Sequence, residues 1–398
     1  MKSIVILGST GSIGENALRI AEALPNDIRV VGLATRTKIA RLIDQALQFN
    51  VRIVAVEDET LALEAATLAR PHGICVLAGT QGVETLAALP EADCVVCSVV
   101  GLAGLNPVLA AMDAGHDVAL ATKEVLVSAG DLVMRKRAEK RVRILPIDSE
   151  HSALFQCLQS VTRNVACVRL EGDGQAPAEE QIEKLVLTAS GGPFANQPDI
   201  DFERVTPEAA LKHPRWSMGP KISIDSATMM NKGLEILEAR WLFDVPVTHV
   251  EVVVHPESIV HSLVTFVDGA TVAQLSVPDM RFAIQYALTW PERRAVDMPK
   301  LDLTQVGQLT FQKTDVNRFP CLRLIREAIA TGGTMPAVMN AADEVAVKAF
   351  LEGRISFAGI WRTIEAVMSK HDVRACSDLE TILETDAWAR RLAMEVIS

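Results

Sequence analysis

The chain has 398 residues, 49% of them hydrophobic, and a formal net charge of −11 at pH 7. This length predicts two or three folded domains, and the hydrophobic content argues against an intrinsically disordered chain. The negative charge disfavours a nucleic-acid partner, because such a partner needs a basic protein face. Gly and Pro interrupt the one long apolar stretch (94–112), so we expect no membrane span. We also expect a cytoplasmic protein without a leader sequence.

The first 150 residues alternate short apolar strands with helical patterns, which is typical of βαβ units and a parallel sheet. Helices are predicted between the strands, for example over 14–23 and 39–49. Residues 1–150 are therefore predicted to form a Rossmann-like α/β domain. Its predicted strands are 3–7, 29–33, 53–56, 74–78, 94–100, 117–120 and 143–147.

A glycine-rich segment, Gly8-Ser-Thr-Gly11-Ser-Ile-Gly14, follows the first predicted strand and opens the first helix. Glycines let a phosphate approach the backbone closely, and the free N–H groups of the helix start donate to it, so this segment predicts a dinucleotide site. After the second strand, where NAD enzymes usually carry an acid, the chain has Arg36-Thr37-Lys38. Two cations without an acid favour NADP, because its 2′-phosphate would pair with them. The alternative is that they begin a solvated helix.

Two acidic residues, Asp148 and Glu150, follow the last predicted strand of this domain. On an extended chain residues i and i+2 point the same way, so these carboxylates are expected to converge. Converging carboxylates repel each other unless a cation lies between them, and oxygen ligands suit Mg²⁺ or Mn²⁺. The pair is a candidate metal site, although an Asp-x-Glu pattern is also common on plain surfaces.

The composition changes between residues 184 and 290, where polar loops are interleaved with strands predicted over 249–255, 262–267 and 270–277. This pattern predicts an α+β domain over 151–290. A segment rich in proline and charge, 291–310, is predicted to be a linker. Residues 311–398 are predicted to form a C-terminal helical bundle. Its helices are expected over 321–330, 335–351, 356–369 and 379–396.

A predicted helix opening in this second domain carries a polar face. Ser226 is a plausible N-terminal cap, and Asn231, Lys232 and Glu235 are spaced so that they share one side of the helix. A functional interpretation makes Glu235 a third carboxylate for the metal, next to an amide and an ammonium that would bind an anion. The alternative is a solvated stripe with a Lys232–Glu235 ion pair.

Two loops complete the candidate site. The small-residue turn that begins at Ser190 (190–194) follows a predicted strand, and such turns form backbone nests for anions. The loop His213-Pro-Arg-Trp216-Ser-Met-Gly219 mixes Gly, Pro and Trp, which is typical of lids that exclude water from bound substrate. A packed surface loop is the alternative.

Taken together, these motifs resemble the 1-deoxy-D-xylulose 5-phosphate reductoisomerase family, and the resemblance covers essentially the whole chain. It implies a homodimer that uses NADPH, a divalent cation and a sugar phosphate in non-mevalonate isoprenoid synthesis. The motifs that carry it are Gly8–Gly14, Lys123-Glu124, Asp148–Ala153, Ser190–Phe194, His213–Gly219, Asp225–Glu235, His255-Pro256 and Pro278–Met280.

The resemblance implies a role for each candidate residue. The metal ligands would be Asp148, Glu150 and Glu235, and with Lys123 and His213 they form the expected catalytic set. The residues around the substrate would be Lys123, Ser149, Glu150, Ser190, His213, Trp216, Ser226, Asn231, Lys232 and Glu235. The NADPH contacts would be Gly8, Thr10, Gly11, Ser12, Ile13, Arg36, Thr37, Lys38, Thr122, Glu124 and Gly219.

The chain departs from the family pattern at three places. Thr35–Lys38 replaces Ala-Gly-Lys/Arg-Asn, Thr122 replaces an Asn before Lys123, and Asp343 replaces an Asn. The first two departures lie at expected cofactor positions.

The implied reaction polarises the ketone at the metal, cleaves and re-forms the carbon skeleton by a retro-aldol step, and reduces the branched aldehyde with NADPH. Two other functions fit the glycine-rich segment Gly8–Gly14 alone. A semialdehyde-type NADP enzyme would use a cysteine nucleophile or a lysine–aspartate pair, and an NADP sensor would not need three carboxylates.

Overall fold

The computed structural model describes residues 1–160, 164–169, 178–195, 197–216, 218–376 and 378–398. Strands lie at β1 Lys2–Leu7, β2 Ile28–Thr35, β3 Ile53–Val56, β4 Cys75–Ala78, β5 Cys94–Cys97, β6 Asp117–Leu120, β7 Ile144–Pro146, β8 Ile182–Ala189, β9 Val250–Val254, β10 Val260–Phe266, β11 Thr271–Leu275 and β12 Gln312–Lys313. Helices lie at α1 Ser12–Ala23, α2 Ile39–Gln48, α3 Glu59–Ala69, α4 Gly79–Ala87, α5 Leu105–Asp113, α6 Lys123–Lys140, α7 Ser149–Gln159, α8 Pro207–Ala210, α9 Pro220–Thr228, α10 Met230–Phe243, α11 Arg281–Thr289, α12 Leu303–Val306, α13 Pro320–Thr331, α14 Met335–Leu351, α15 Phe357–Met368 and α16 Leu379–Ile397.

The chain forms two compact units. The first contains residues 1–122, 134–178 and 279–300, and the second contains 123–133, 179–278 and 301–398. These units differ from the linear division predicted from the sequence (1–150, 151–290, 291–310 and 311–398), which stays a prediction about domains. The difference has a physical cause, because α11 and the first part of the predicted linker pack within the first unit. Trp290 contacts Phe155 at 6.1 Å between ring centroids, and Arg294 pairs with Asp27 at 2.8 Å.

The first unit contains a seven-stranded parallel sheet in the order β4-β3-β2-β1-β5-β6-β7. Residues 4–7 of β1 are fully buried, as expected for a central strand covered by helices on both faces. The order reverses where β5 joins the other side of β1, and ligands of such sheets bind beyond the carboxyl ends of the strands at this point. The sheet confirms the predicted Rossmann-like α/β fold class.

The second unit contains a mixed five-stranded sheet in the order β11-β10-β8-β9-β12, with β8 and β9 parallel. Helix α10 packs on this sheet, and α13 to α16 pack on one another around a shared apolar core. A central α+β part and C-terminal helices were both predicted. Across the described part of the chain, no helix has the length and apolar character needed to cross a membrane.

Candidate active site

The glycine-rich turn in the first unit has the geometry of a phosphate cradle. Gly8 has φ +83°, and a Cβ there would lie 2.8 Å from the carbonyl oxygen of Ser98. A Cβ on Gly14 would lie 2.4 Å from the Gly8 oxygen, so only glycine fits this approach of the turn to α1. Because α1 begins at Ser12, the N–H groups of Ser12 and Ile13 belong to its open first turn. Nothing larger than hydrogen fits where the turn meets the helix.

The predicted 2′-phosphate loop lies beside this cradle. Thr35, the last residue of β2, shares a 2.6 Å hydrogen bond between hydroxyl groups with Thr10. The Lys38 ammonium lies 3.5 Å from the carbonyl oxygen of Thr10, while Arg36 and Thr37 are exposed. Helix α2 begins after Lys38, so these residues form the β2–α2 loop. Lys38 therefore lies beside the glycine-rich turn, and Arg36 is close to it in sequence.

Thr122, at one of the three departures from the family pattern, is buried beyond the end of β6. Its hydroxyl donates to the carbonyl oxygen of Val99 and lies 3.9 Å from the sulfur of Cys97. The hydroxyl therefore joins the loops after two neighbouring strands.

The start of α7 carries Asp148, Ser149 and Glu150 in the first unit. The Asp148 and Glu150 carboxylates converge as predicted, with an oxygen of each within 4.8 Å of the other. The prediction of an extended chain is wrong, because β7 ends at Pro146 and α7 begins at Ser149. Both carboxylates instead lie at the N-terminal end of a helix, where the helix dipole stabilises negative charge. The Ser149 hydroxyl donates to the Glu150 carboxylate, and Nδ1 of the buried His151 lies 3.8 Å from the Asp148 carboxylate.

Ser226 does not cap a helix, which corrects the prediction. It lies in the last turn of α9, and Met229, with φ +63°, ends that helix before α10 begins at Met230. The hydroxyl of Thr228 accepts a 3.3 Å hydrogen bond from the N–H of Met230. This left-handed residue could not be foreseen, because a methionine rarely adopts positive φ without tertiary support. Asn231, Lys232 and Glu235 therefore lie in the first two turns of α10.

Glu235 is held between two ammonium groups inside the second unit. Its side chain is 1% exposed, and its carboxylate lies 3.2 Å from Nζ of Lys123 and 2.5 Å from Nζ of Lys232. Lys123 also donates to Asn231 Oδ1 at 2.8 Å, and the Asn231 amide donates to Glu235. The Lys232–Glu235 ion pair of the alternative interpretation is present, but its solvated stripe is not, since both lysines are also buried. Two ammonium groups and one carboxylate leave a net positive charge in this buried cluster, which favours an anionic ligand.

Ser190 and His213 come together at the end of β8. Ser190 Oγ lies 2.9 Å from His213 Nε2 and accepts the N–H of Gly192 at 3.2 Å. His213 Nδ1 accepts the N–H groups of Arg215 at 3.2 Å and Trp216 at 2.9 Å. Nδ1 is thus an acceptor, so Nε2 carries the proton and donates to Ser190. The Ser190 hydroxyl proton then remains available for an anion.

The turn after β8 approaches Ser226 closely. Gly191 and Gly192 have φ +82° and +65°, and a Cβ on Gly192 would lie 2.8 Å from the Ser226 oxygen. In the predicted lid, the Arg215 guanidinium donates to the carbonyl oxygen of Pro256 at 2.9 Å. Trp216 is half-buried and residue 217 of this loop lies outside the described residues; Gly219 directly precedes α9.

A half-buried lysine, which the sequence analysis did not single out, joins three helices of the second unit. Nζ of Lys221 lies 2.5 Å from Asp225, 3.2 Å from Asp343 and 3.6 Å from Glu124. Burial raises the pKa of Asp225 well above its usual range, and the neighbouring Asp343 raises it further; burial also raises the pKa of Asp343. The unusual Asp343 therefore places a second acid beside Asp225. The i,i+4 spacing of Lys221 and Asp225 was the only signal in the sequence.

Replacing Asp343 with Asn is expected to change how stability depends on pH. Because the pKa of Asp225 and that of Asp343 are raised in the folded protein, these carboxyl groups hold protons there at pH values where the unfolded chain, above about pH 4, has released them. The contribution of these raised pKa values to the stability of the fold is complete below the pKa of the unfolded chain. It is lost as the pH rises through the pKa of the folded state. The wild-type free energy of unfolding should fall relative to that of Asp343→Asn by up to about 1.4 kcal/mol per pH unit. Urea unfolding between about pH 5 and about pH 8 measures this, and parallel pH curves would contradict it.

Family models and sequence relatives match this chain over nearly its whole length. A family model for 1-deoxy-D-xylulose 5-phosphate reductoisomerase matches residues 4–130, and models for its C-terminal domains match 144–243 and 275–392. The reductoisomerase of Pelotomaculum thermopropionicum is 48% identical over 398 residues, covering 100% of this chain and 99% of the relative. That of Heliobacterium modesticaldum is 47% identical, covering 99% and 97%.

Solved structures agree with the sequence relatives. The reductoisomerase of Zymomonas mobilis in complex with NADPH has a TM-score of 0.90 at 37% identity, covering 100% of this chain and 99% of that one. A reductoisomerase in complex with NADPH, fosmidomycin and magnesium has a TM-score of 0.93 at 38% identity, covering 100% and 98%. The chain therefore belongs to the 1-deoxy-D-xylulose 5-phosphate reductoisomerase family.

Proposed function

We propose that this chain converts 1-deoxy-D-xylulose 5-phosphate into 2-C-methyl-D-erythritol 4-phosphate, using NADPH and a divalent cation, in non-mevalonate isoprenoid biosynthesis. It is an NADP-dependent oxidoreductase that also isomerises its substrate. The observation that carries this proposal is the buried Glu235 carboxylate between Lys123 and Lys232. Neither a semialdehyde-type enzyme nor a cofactor sensor needs such a group.

We assign the divalent cation, Mg²⁺ with Mn²⁺ as an alternative, to Asp148, Glu150 and Glu235. The donor set fits a hard cation, because all three ligands are carboxylates. When bound, the cation supplies Lewis acidity to the substrate's carbonyl oxygen and a template for its hydroxyl oxygen. The Ser149 hydroxyl, which donates to Glu150, orients that carboxylate and lies next to the reacting end of the substrate.

The substrate phosphate is assigned to a pocket within the second unit. Lys232 supplies a buried positive charge, and the Ser190 hydroxyl is oriented to donate because it already accepts from His213. Fixing this non-reacting end lets its binding energy position the ketone beside Lys123, whose ammonium can stabilise negative charge on a substrate oxygen. Trp216 would cover the bound substrate and exclude water from it. The phosphate contacts are Ser190, Ser226, Asn231 and Lys232, with His213 closing over them.

NADPH is assigned to the cradle and the β2–α2 loop of the first unit. The open N–H groups at the start of α1 would bind the pyrophosphate, and Arg36 and Lys38 would pair with the 2′-phosphate. When bound, NADPH supplies the hydride. The proposed contacts are Gly8, Thr10, Gly11, Ser12, Ile13, Arg36, Thr37, Lys38, Thr122, Glu124 and Gly219.

The decrease of NADPH absorbance with the sugar phosphate tests this function. We expect oxidation of NADPH with 1-deoxy-D-xylulose 5-phosphate, its loss after chelation, and its recovery when Mg²⁺ is restored. Metal-independent oxidation would indicate a semialdehyde-type enzyme, and NADPH binding without any turnover would indicate a sensor.

We also propose that the chain works as a homodimer in the cytoplasm. The family resemblance is the support for the dimer, and light scattering of the purified protein tests it. All seven cysteines are free thiols, which fits a reducing compartment.

A further inference from the structure

We propose that Gln45, a residue of α2, is a positioning residue that sets the conformation of the Gly8–Gly14 loop for NADPH binding. The inference rests on the proposed use of NADPH. It concerns a residue that no motif in the sequence singled out.

Gln45 binds the residue that follows Gly8 in two ways. Its side-chain N–H donates to the backbone oxygen of Ser9 at 3.0 Å, and its Oε1 accepts from the Ser9 hydroxyl at 2.8 Å. Gln45 and Ser9 are both fully buried. A buried polar group without a partner is costly, so each of these bonds holds Ser9 in one orientation.

The backbone of the same residue is held from the opposite direction. The N–H groups of Gly8 and Ser9 both donate to the carbonyl oxygen of Ala34, at 3.0 and 2.9 Å. Ser9 is thereby bound through its N–H, its carbonyl and its hydroxyl. Because Gly8 already has positive φ, fixing Ser9 fixes the path by which the loop reaches α1.

Gln45 also controls an acid at the phosphate-binding end of α1. Its amide donates to Glu15 at 3.0 Å, and Arg41 binds Glu15 through two hydrogen bonds of 2.8 and 2.7 Å. These Arg41 bonds lower the pKa of Glu15, so it is negatively charged at neutral pH. A carboxylate in the first turn of α1 would repel a phosphate that it faced. Gln45 and Arg41 together hold it toward α2.

The test replaces Gln45 with Met, which keeps the size and removes the amide. We expect the Kd of NADPH, measured by fluorescence, to rise about tenfold, since the loop loses its bound conformation. In the cofactor-free protein, hydrogen exchange of the peptide that spans residues 8–14 should become faster. At saturating NADPH, kcat and the KM of the sugar phosphate should stay within about twofold.

The matched control is Gln48→Met, one turn further along α2, where the amide donates only to the exposed Glu22 at 3.0 Å. It should change neither the Kd nor the exchange. Unchanged NADPH affinity in a folded Gln45→Met protein would overturn the proposal.

A second variant keeps the proposal testable if Gln45→Met does not fold. Ser9→Ala removes only the hydroxyl bond, and it should raise the Kd of NADPH by a smaller factor. Where both single variants fold, the double variant should show less than the sum of the two losses, since the bonds share one amide. Unchanged NADPH affinity in Ser9→Ala, or strictly additive losses of affinity in the double variant, would contradict the proposed role of Gln45. Failure of the wild type to bind NADPH would instead overturn the proposed function.

Discussion

Replacing Glu235 with Gln is expected to lower kcat about a thousandfold or more at saturating Mg²⁺ and substrate. The amide keeps the shape of the side chain but removes the negative charge that binds a divalent cation. It also leaves the ammonium groups of Lys123 and Lys232 without their shared anion. Steady-state oxidation of NADPH over a range of Mg²⁺ concentrations measures the effect.

The control for this variant is Glu251→Gln, which removes an acid from an exposed pair with Lys184 in the same unit. It should retain wild-type activity, because exposed ion pairs contribute little. NADPH should bind Glu235→Gln with nearly unchanged Kd, since Glu235 is not among the proposed NADPH contacts. Undiminished turnover in Glu235→Gln would remove this residue from the proposed metal ligands.

Replacing Lys232 with Met is expected to raise the KM of the sugar phosphate about a hundredfold. The ammonium is buried, so its attraction for a phosphate dianion is only weakly screened by water and salt. Some loss of kcat should accompany this, because Lys232 also contacts Glu235. The same assay measures both parameters, and inorganic phosphate added as a competitor should inhibit the wild type more strongly than the variant.

Lys184→Met provides the comparison for a surface lysine, since Lys184 pairs with the exposed Glu251 at 3.3 Å. We expect it to leave KM unchanged. If Lys232→Met kept the wild-type KM and the same inhibition by inorganic phosphate, the phosphate would have to bind elsewhere.

Local patterns were enough to predict much of the first unit. The strand before Gly8 and the helix after it follow from neighbouring residues, and glycine is required where a Cβ would meet backbone 2.4 to 2.8 Å away. The parallel sheet and the C-terminal helix Met335–Leu351 follow from hydrophobic periodicity in the same way. These features depend on short stretches of chain, which a single sequence records directly.

Features that depend on distant parts of the chain were predicted poorly. The break at Met229 between α9 and α10 needs a residue held at positive φ, and no local sequence pattern predicts it. The contacts of Lys221 with Asp225 and Asp343 depend on packing of α9 against α14, more than a hundred residues later. Gln45 likewise looks like an ordinary polar residue of a helix until α2 is placed beside the glycine loop.

We propose that one chain both rearranges the carbon skeleton and reduces it, and hydride tracing tests this directly. The measurement uses NADPH with deuterium at the transferred position and identifies the product by NMR and mass spectrometry. We expect one deuterium in each molecule of 2-C-methyl-D-erythritol 4-phosphate, on the carbon that was the aldehyde. Deuterium in an unbranched polyol phosphate would contradict the account, because it would show reduction of the substrate ketone without isomerisation.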